Sequence, residues 1–528
     1  MNVLKVIGCS MALCALPLSG QTGGGTELFR DMKAPQHERI MDLLSRLTVE
    51  EKISLLVNDA PAIGRLGIDK YNHGNEALHG VVRPGDFTVF PQAIGMAAMW
   101  NPELLYRISS AISDEARGRW KELEYGKKQI AGASDLLTFW SPTVNMARDP
   151  RWGEDPYLSG VLGVAFVKGL QGDHPRYLKT VSTPKHFAVN NEEHNRSSCN
   201  AKVSERDLRE YYLPSFERCI TEGKAQSIMM AYNAVNDVPC TVNTYLIKNV
   251  LRGDWGFNGY IVSDCSAPEW MITKHHYVKT REAAATLAVK AGLDLECGNQ
   301  VYGEGLLKAY RQYMVSEADI DSAAYRILRG RMMLGLFDDP SQNPYNQIEP
   351  SVVGCKAHQD LALEAARQSM VLLKNKDNFL PLNPKKVKSI AVVGISAGHC
   401  EFGDYSGTPK NEPVTILDGI KQYAEEYGFK VAYAPWVSAS EDFEPVTKTY
   451  FPEGLKVEYY RNNSLSGEAS VRMEEELLYD PVHKPDRFQP EAPMSIRWTG
   501  QLKPIVSGVY TLGMKSDDGC RVYVDGKK

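Results

Sequence analysis

The stretch GYIVSDCSAPEW, residues 259–270, contains the features that decide the fold. Residues 259–262 are uncharged and mostly aromatic or β-branched, which is typical of a buried strand. Ser263, Asp264 and Cys265 follow at once, and Pro268 then turns the chain. An unpaired carboxylate is costly at the end of a buried strand. The position of Asp264 therefore indicates a functional role for this carboxylate.

The same pattern recurs on both sides of this stretch. Short apolar runs alternate with amphipathic helical stretches, of which residues 204–223 and 280–291 are examples, and residues 36–56 have helical periodicity with a Thr48–Glu51 capping box. The apolar runs are residues 137–145, 178–190, 225–236, 260–265 and 291–297. Alternating strands and helices predict the α/β class with parallel strands, and a (β/α)8 TIM-like barrel over residues 27–339 is the leading expectation.

Polar side chains come late in each apolar run. They are Asn145 and Arg148; Lys185, His186, Asn190 and Asn191; Tyr232 and Asn233; Asp264; and Asp294 and Glu296. In a (β/α)8 barrel the carboxyl ends of the strands converge on one face, where active sites lie. The pattern predicts a shared pocket, and the alternative is that a polar turn simply follows each strand.

The second part of the chain has a different organisation. Residues 340–358 are a Pro- and Asn-rich linker, and residues 359–450 read as the first part of an α/β sandwich domain, opening with a helix over 358–375. The VGISAG loop (393–398) follows a predicted strand but lacks GxGxxG, so a nucleotide-binding enzyme is a weaker alternative.

From about residue 451 the pattern has a period of two, which predicts a partial antiparallel β-sandwich over residues 451–528. Strands are expected in LKVEYYRN (455–462), MSIRWTGQLKP (494–504) and GVYTLGMKSDDGCRVYVDG (508–526). The closing VDGK has no return strand after it, so we expect the sandwich to be incomplete and the protein to continue beyond Lys528.

Composition excludes several classes of function. The chain has 528 residues and a net charge of −5, without a Lys/Arg block, so a nucleic-acid surface is not expected. Residues 1–20 read as a signal peptide, which predicts a secreted or periplasmic protein; a lipoprotein fits less well because the apolar region before Cys9 is short. No later segment is apolar enough to predict a membrane span.

Cysteine spacing argues against a zinc site. Eight cysteines lie outside the predicted signal peptide and none forms a CxxC pair. An oxidising compartment would permit disulfides, but the sequence does not give their pairing or the oligomeric state.

Six motifs resemble glycoside hydrolase family 3, of the β-xylosidase/β-glucosidase type. In order, they are NEALHGV (75–81), ARDPRWG (147–153), KHFAVNNEE (185–193), SERDLRE (204–210), MMAYNAVNDVPC (229–240) and GYIVSDC (259–265). LLKN and IAVVG resemble the start of the family's second domain, so the resemblance covers about residues 30–435. SDDGCRVYVDG is similar to a protective-antigen-type lectin-like β-sandwich that is inserted in some members.

The resemblance implies a retaining, exo-acting β-glycosidase that needs no metal or organic cofactor. Its partner would be an oligosaccharide substrate of plant type, cleaved at the non-reducing end. The motifs favour β-D-xylose as the released sugar, and a β-glucosidase remains the alternative.

The resemblance also implies roles for individual residues. A retaining glycosidase needs an ionised carboxylate nucleophile and a carboxylic acid about 5–5.5 Å away. Asp264 matches the nucleophile. The substrate-binding residues implied are Glu76, Arg148, Lys185, His186, Arg196, Met229 and Tyr232. Three of these residues are Lys or Arg, and we expect their charges to lower the pKa of Asp264.

Each binding residue has a structural alternative. Arg148 could pair with Asp149, Lys185 and His186 could form a buried structural pair, and Arg196 could be a solvated loop charge. Met229 could be an ordinary core residue, and Glu76 could lie on a solvent-exposed helix.

The chain departs from the family pattern in two places. Gly153 is followed directly by Glu154, whereas family members usually have several more residues between these two positions. The family's acid/base glutamate follows the inserted sandwich, so we assign no acid/base residue; nothing matches Glu192, Glu193, Glu269 or Glu296 to that role. A carbohydrate-binding protein without catalysis is therefore the alternative from another class.

Overall fold

The computed structural model describes residues 27–125, 136–144, 153–403, 405–435, 446–479, 495–514, 516 and 519–528. The fold is mixed α/β, in agreement with the predicted class. The chain divides into two compact units. The first consists of residues up to Leu380 together with Glu401–Pro413, and the second of Pro381–Cys400 together with Val414–Lys528.

Most helices lie in the first unit. They are α1 (Gln36–Arg46), α2 (Val49–Ser54), α3 (Ala93–Ala98), α4 (Pro102–Tyr125), α5 (Pro156–Gln171), α6 (Glu205–Asp207), α7 (Pro214–Thr221), α8 (Ala267–Thr273), α9 (Arg281–Ala291), α10 (Leu307–Arg311), α11 (Glu317–Met333) and α12 (Lys356–Gln368). π-Helical turns span Leu208–Tyr212, Tyr245–Asp254 and Tyr302–Leu306. The helix α13 (Ile416–Tyr427) lies in the second unit.

The strands of the first unit are short. They are β1 (Asp59–Ala60), β2 (Tyr71–Asn72), β3 (Asp86–Phe87), β4 (Thr138–Phe139), β5 (Val181–Ser182), β6 (Asn200–Ala201), β7 (Ser227–Met230), β8 (Ala234–Val235), β9 (Val238–Pro239), β10 (Tyr260–Ser263) and, from the later segment, β12 (Thr408–Pro409). Those of the second unit are β11 (Ser389–Val393), β13 (Lys430–Ala434), β14 (Leu455–Tyr460), β15 (Ala469–Glu474) and β16 (Ser495–Thr499).

The predicted parallel strands pair in parallel. Strand β4 pairs with β5, and β7 with β10. Isolated parallel bridges continue this order, joining Thr143 to Lys185, Phe187 to Met230, Val262 to Leu295 and Val57 to Glu296. The pairing places the ends of the predicted strands, and their polar residues, beside one another.

Local sequence signals explain several element boundaries. Thr48 caps α2 in a capping box with Glu51, as predicted. Thr280 caps the start of α9, whose end is closed by Gly292 with φ of 107°. A large core of buried apolar side chains, which extends from Phe29 to Ala365, joins these helices to the strands.

The second unit begins with the predicted βαβ element. Strands β11 and β13 pair in parallel, and α13 connects them along the chain. Farther on, β15, β14 and β16 form a three-stranded antiparallel sheet. A separate small core lies beneath this sheet, formed by Phe451, Leu455, Val457 and Tyr459.

Two predicted elements differ from the structure. The helix predicted over 358–375 ends at Gln368, because the buried helical stripe stops at Ala365 and residues 370–373 are a contiguous, exposed apolar run. The strand predicted within residues 508–526 is wrong: of its described residues, Val524 alone forms a β-bridge, to Lys527. An extended segment needs a paired partner to be stable, and Val509 in this region is fully exposed.

Candidate active site

Asp264 lies directly after the last residue of β10, in the turn before α8. Its backbone N–H donates to the Met230 carbonyl at 3.2 Å, which fixes it beside the end of β7. The residue is 6% exposed, and its Oδ1 accepts from the Cys265 N–H at 2.8 Å. The other oxygen, Oδ2, lies 3.4 Å from His186 Nε2.

A disulfide fastens the turn that contains Asp264. Cys265 is bonded to Cys297, the last residue of the apolar run 291–297. Two hydrogen bonds reinforce the connection: Ser266 N–H donates to the Cys297 carbonyl, and Cys297 N–H donates to Ser263 Oγ, both at 3.0 Å. The nucleophile candidate is thus held in place on both sides by the neighbouring segment.

Lys185 and Glu76 form a buried ion pair next to Asp264. Both side chains are almost fully buried, and the Lys185 ammonium donates to Glu76 Oε1. Glu76 lies in the loop between β2 and β3, so its predicted alternative, a solvent-exposed helix position, is wrong. Close packing holds this loop, since a Cβ on Gly74 would lie 2.0 Å from the Trp140 ring.

Tyr232 connects Asp264 to a second cation. Its hydroxyl lies close enough to the Asp264 carboxylate to lower the pKa of that group, and its ring stacks on Trp270 at 4.3 Å between centroids. The Arg196 guanidinium lies 5.1 Å from the centre of the same ring and pairs with Glu193 at 2.7 Å. Arg196 therefore lies beside the site, although its side chain is still 40% exposed, so the alternative of a solvated loop charge stays open.

Burial raises the pKa of Asp264 to about 6, above its ordinary value of 3.8. Lys185, the Cys265 N–H, Tyr232 and Arg196 all act to lower the pKa, but burial outweighs them. The expectation that cations hold this pKa down was right about the sign of their effect and wrong about the net result. At neutral pH the carboxyl group is still mostly ionised.

The remaining predicted binding residues have different positions. Met229 lies inside β7 and is 1% exposed, so the structure gives it a packing role, and contact with a sugar stays a prediction. Arg148 and Asn145 lie outside the described residues. The structure therefore brings Asp264, Glu76, Lys185, His186, Arg196 and Tyr232 together.

Several carboxylates near the strand ends have structural partners instead. Asp294 is fully buried and pairs with Arg252 and Arg326. Glu296 accepts hydrogen bonds from the backbone N–H groups of Val301 and Tyr302. Glu269 pairs with Arg281, and His194 N–H donates to Glu192. The predicted shared pocket thus does not include Asp294 and Glu296.

Sequence reasoning missed three features of the site. The sequence does not show which of the eight cysteines pair, so it did not predict the Cys265–Cys297 disulfide. Only the position of Trp270 shortly after Asp264 in the sequence indicated that it would lie in the site. Tyr405 lies 141 residues beyond Asp264 along the chain, yet its ring centre is 4.7 Å from Lys185 Nζ.

Two further findings concern ligands. Within the described residues, no cluster of three or more His, Cys, Asp or Glu side chains is placed to bind a metal ion. In that same part of the chain, no helix has the length and apolar character required to cross a bilayer.

Comparison with known proteins points to one family. The glycosyl hydrolase family 3 N terminal domain matches residues 60–330, and the C-terminal domain of that family matches residues 370–493. A xylan 1,4-beta-xylosidase of Xylanibacter ruminicola is 36% identical over 98% of this chain and 62% of its own length. Probable beta-D-xylosidase 7 of Arabidopsis thaliana is 41% identical over 74% of the chain and 54% of its own length.

Solved structures agree with these matches. A family 3 exo-beta-xylosidase, solved with a xylobiose aziridine activity-based probe, aligns with a TM-score of 0.69 and 30% identity over 78% of this chain and 54% of its own. A beta-glucosidase from Erythrobacter marinus aligns with a TM-score of 0.67 and 26% identity over 78% of this chain and 59% of its own. The chain spans little more than half the length of most of these proteins.

Proposed function

Because the chain belongs to glycoside hydrolase family 3, we propose that the protein is a retaining, exo-acting β-glycosidase that releases β-D-xylose from the non-reducing ends of oligosaccharides. The observation that supports this proposal best is the buried Asp264 carboxylate, which has a lysine, a histidine, an arginine and a tyrosine around it. The two relatives and the one solved neighbour named above as xylosidases favour xylose over glucose.

In the proposed reaction Asp264 is the nucleophile. Its carboxylate oxygen attacks the anomeric carbon, the bond from that carbon to the aglycone oxygen breaks, and a covalent glycosyl ester forms. A water molecule then gives up a proton to a general base and attacks the same carbon, which breaks the ester, restores the carboxylate and releases the sugar with its anomeric configuration retained. The aglycone oxygen needs a proton from a general acid, and we assign that role to no residue of this chain.

The neighbours of Asp264 prepare it for this chemistry. Burial places the carboxylate away from water, and Lys185 and Arg196 keep it ionised near neutral pH. The Cys265 N–H donates to Asp264 Oδ1 and so orients the carboxylate. Glu76 and Lys185 can bind sugar hydroxyls as acceptor and donor.

We also propose the larger architecture that the family implies. The parallel pairings of the first unit fit a (β/α)8 barrel with Asp264 at the carboxyl end of one strand. Residues 1–20 would be a signal peptide that directs secretion or periplasmic export. The antiparallel strands after residue 451 would belong to a lectin-like insert.

Hydrolysis of aryl glycosides tests the proposed function. An aryl glycoside with a good leaving group needs little acid assistance, so its hydrolysis should be measurable. If xylose is the preferred sugar, the chain should hydrolyse the aryl β-xyloside faster than the matching β-glucoside. Asp264→Asn should lower kcat by at least about a thousandfold, and Asp237→Asn, at an exposed aspartate, should leave it unchanged. The value of kcat/KM should fall below pH 6, where Asp264 becomes protonated. Xyloside binding without any turnover would favour the non-catalytic alternative.

A further inference from the structure

A later segment of the chain returns to the candidate site. We call residues 402–403 and 405–409 the return segment; they lie within Glu401–Pro413, which belongs to the first unit although Pro381–Cys400 and Val414–Lys528 belong to the second. Strand β12, within it, pairs in parallel with β3. The pairing places the return segment directly beside the loop that contains Glu76.

Three contacts fix the return segment in this position. Gln92 Nε2 donates to the Phe402 carbonyl at 2.6 Å, and His79 Nε2 is hydrogen-bonded to Ser406 Oγ at 2.8 Å. A Cβ on Gly407 would lie 2.3 Å from the Val81 carbonyl oxygen, so only glycine permits the observed approach. Tyr405, between these anchors, is held in a definite position despite being 41% exposed.

Tyr405 faces the ion pair of the site. Its ring centre is 4.7 Å from Lys185 Nζ, within the range of a cation–π contact. Its hydroxyl is close enough to Tyr232 to contribute to the raised pKa of that phenol. The ring therefore covers one side of an ammonium group that Glu76 binds on another side.

We propose that Tyr405 is a positioning residue for glycoside hydrolysis, whose ring holds the Lys185 ammonium between Glu76 and Asp264. This inference rests on the proposed function. Lysine has a long, flexible side chain, and its ammonium is a point charge without the directional fork of arginine. A single carboxylate does not fix such a group, and the aromatic face supplies a second point of attachment.

The position of Lys185 matters because its charge acts on Asp264. Among the described residues, the charged or titratable groups around the Asp264 carboxylate are Lys185, His186, Arg196 and Tyr232, with Glu76 behind Lys185. Among the influences that lower the pKa of Asp264, the charge of Lys185 is the largest. Without the Tyr405 ring, the ammonium is free to move away, and Asp264 then ionises at higher pH.

The test measures how fast a fluorinated aryl xyloside inactivates the full chain at different pH values. Tyr405→Leu removes the ring, Tyr405→Phe retains it, and Tyr313→Leu alters a tyrosine that is 95% exposed. Tyr405→Leu should move the acid limb of the inactivation rate upward by about 0.5–1 pH unit and slow labelling about two- to fivefold at pH 6. Tyr405→Phe and Tyr313→Leu should behave like the wild type within about twofold.

A Lys185→Met background separates positioning from a general structural effect. In that background Tyr405→Leu should cause no further shift of the acid limb, since the charge it positions is absent. Tyr405→Met, checked for an unchanged thermal transition, replaces the leucine variant if that one does not fold.

Three results would overturn the inference: an unchanged acid limb in Tyr405→Leu, an equal shift in Tyr405→Phe, or a shift that persists in Lys185→Met. A wild-type chain that is never labelled would overturn the proposed function, and the inference with it. A labelled wild type with an unaffected leucine variant would overturn the inference alone.

Discussion

Replacing Asp264 by asparagine should stabilise the first unit while it abolishes turnover. The carboxylate is buried, and the surrounding cations, hydroxyl and N–H groups do not fully compensate for its lost hydration. An asparagine side chain at this position would keep the size of the aspartate and its acceptor for the Cys265 N–H without the charge. The ionised nucleophile is thus a site where stability is given up for reactivity.

The size and sign of this effect follow from the pKa. Its rise from 3.8 to about 6 corresponds to about 3 kcal/mol in favour of the unfolded state once Asp264 is ionised in both states. Below pH 3.8 both states are protonated and the cost is absent. As pH rises, the unfolded state ionises first, so the cost grows between pH 3.8 and 6 and is complete above pH 6. The gain from Asp264→Asn should be about 1 kcal/mol at pH 4.5 and about 3 kcal/mol at pH 7.5.

Hydrogen exchange measures this gain where it acts. The slowest amides of β10 should exchange about 100-fold more slowly in Asp264→Asn than in the wild type at pH 7.5, after correction for intrinsic rates. At pH 4.5 the factor should be about fivefold. Asp237→Asn, which removes an exposed carboxylate, serves as the control.

The pH dependence makes the reasoning refutable. An equal gain at pH 4.5 and 7.5 would mean that the carboxylate's ionisation is not the cause. Faster exchange of β10 in the variant would mean that Lys185, Tyr232 and the Cys265 N–H compensate for burial more than fully.

Three further predictions, each for a substitution, follow from the site geometry. Glu76→Gln should raise KM for an aryl xyloside at least about tenfold, because the buried Lys185 loses its carboxylate partner. An unchanged KM in steady-state kinetics would contradict a role for Glu76 in the site. Replacing both Cys265 and Cys297 by alanine should lower kcat, the thermal midpoint and, by about 3 kcal/mol, the free energy of unfolding. A calorimetric trace identical to that of the wild type would contradict this prediction. Arg196→Gln should move the acid limb of kcat/KM upward by less than Lys185→Met does, because the charge of Lys185 lowers the pKa of Asp264 more than that of Arg196 does. A larger shift in Arg196→Gln would contradict this order.

The sequence predicts those parts of the site that depend on strand order. Apolar runs that end in polar residues place Lys185, His186, Tyr232 and Asp264 at neighbouring strand ends, and the structure has them together. The period-two and helical patterns also predict α9 and β14 well, since each buries one face against a core.

The parts that the sequence does not predict depend on distant contacts. Asp294 has the same place in its run as the site residues, yet its oxygens bind Arg252 and Arg326, which no local pattern reveals. Tyr405 reaches Lys185 because β12 pairs with β3, far earlier in the chain. The net pKa of Asp264 also depends on the burial of its carboxylate, which is a property of the folded site.

Peptide mapping after inactivation tests the central claim most directly. A fluorinated aryl β-xyloside should form a stable ester with the nucleophile, and mass spectrometry of the digested, reduced chain should find one added sugar, on Asp264. The Asp264→Asn variant should remain unlabelled. A sugar attached to another carboxylate in the wild type, or equal labelling of the variant, would contradict the assignment of Asp264 as the nucleophile.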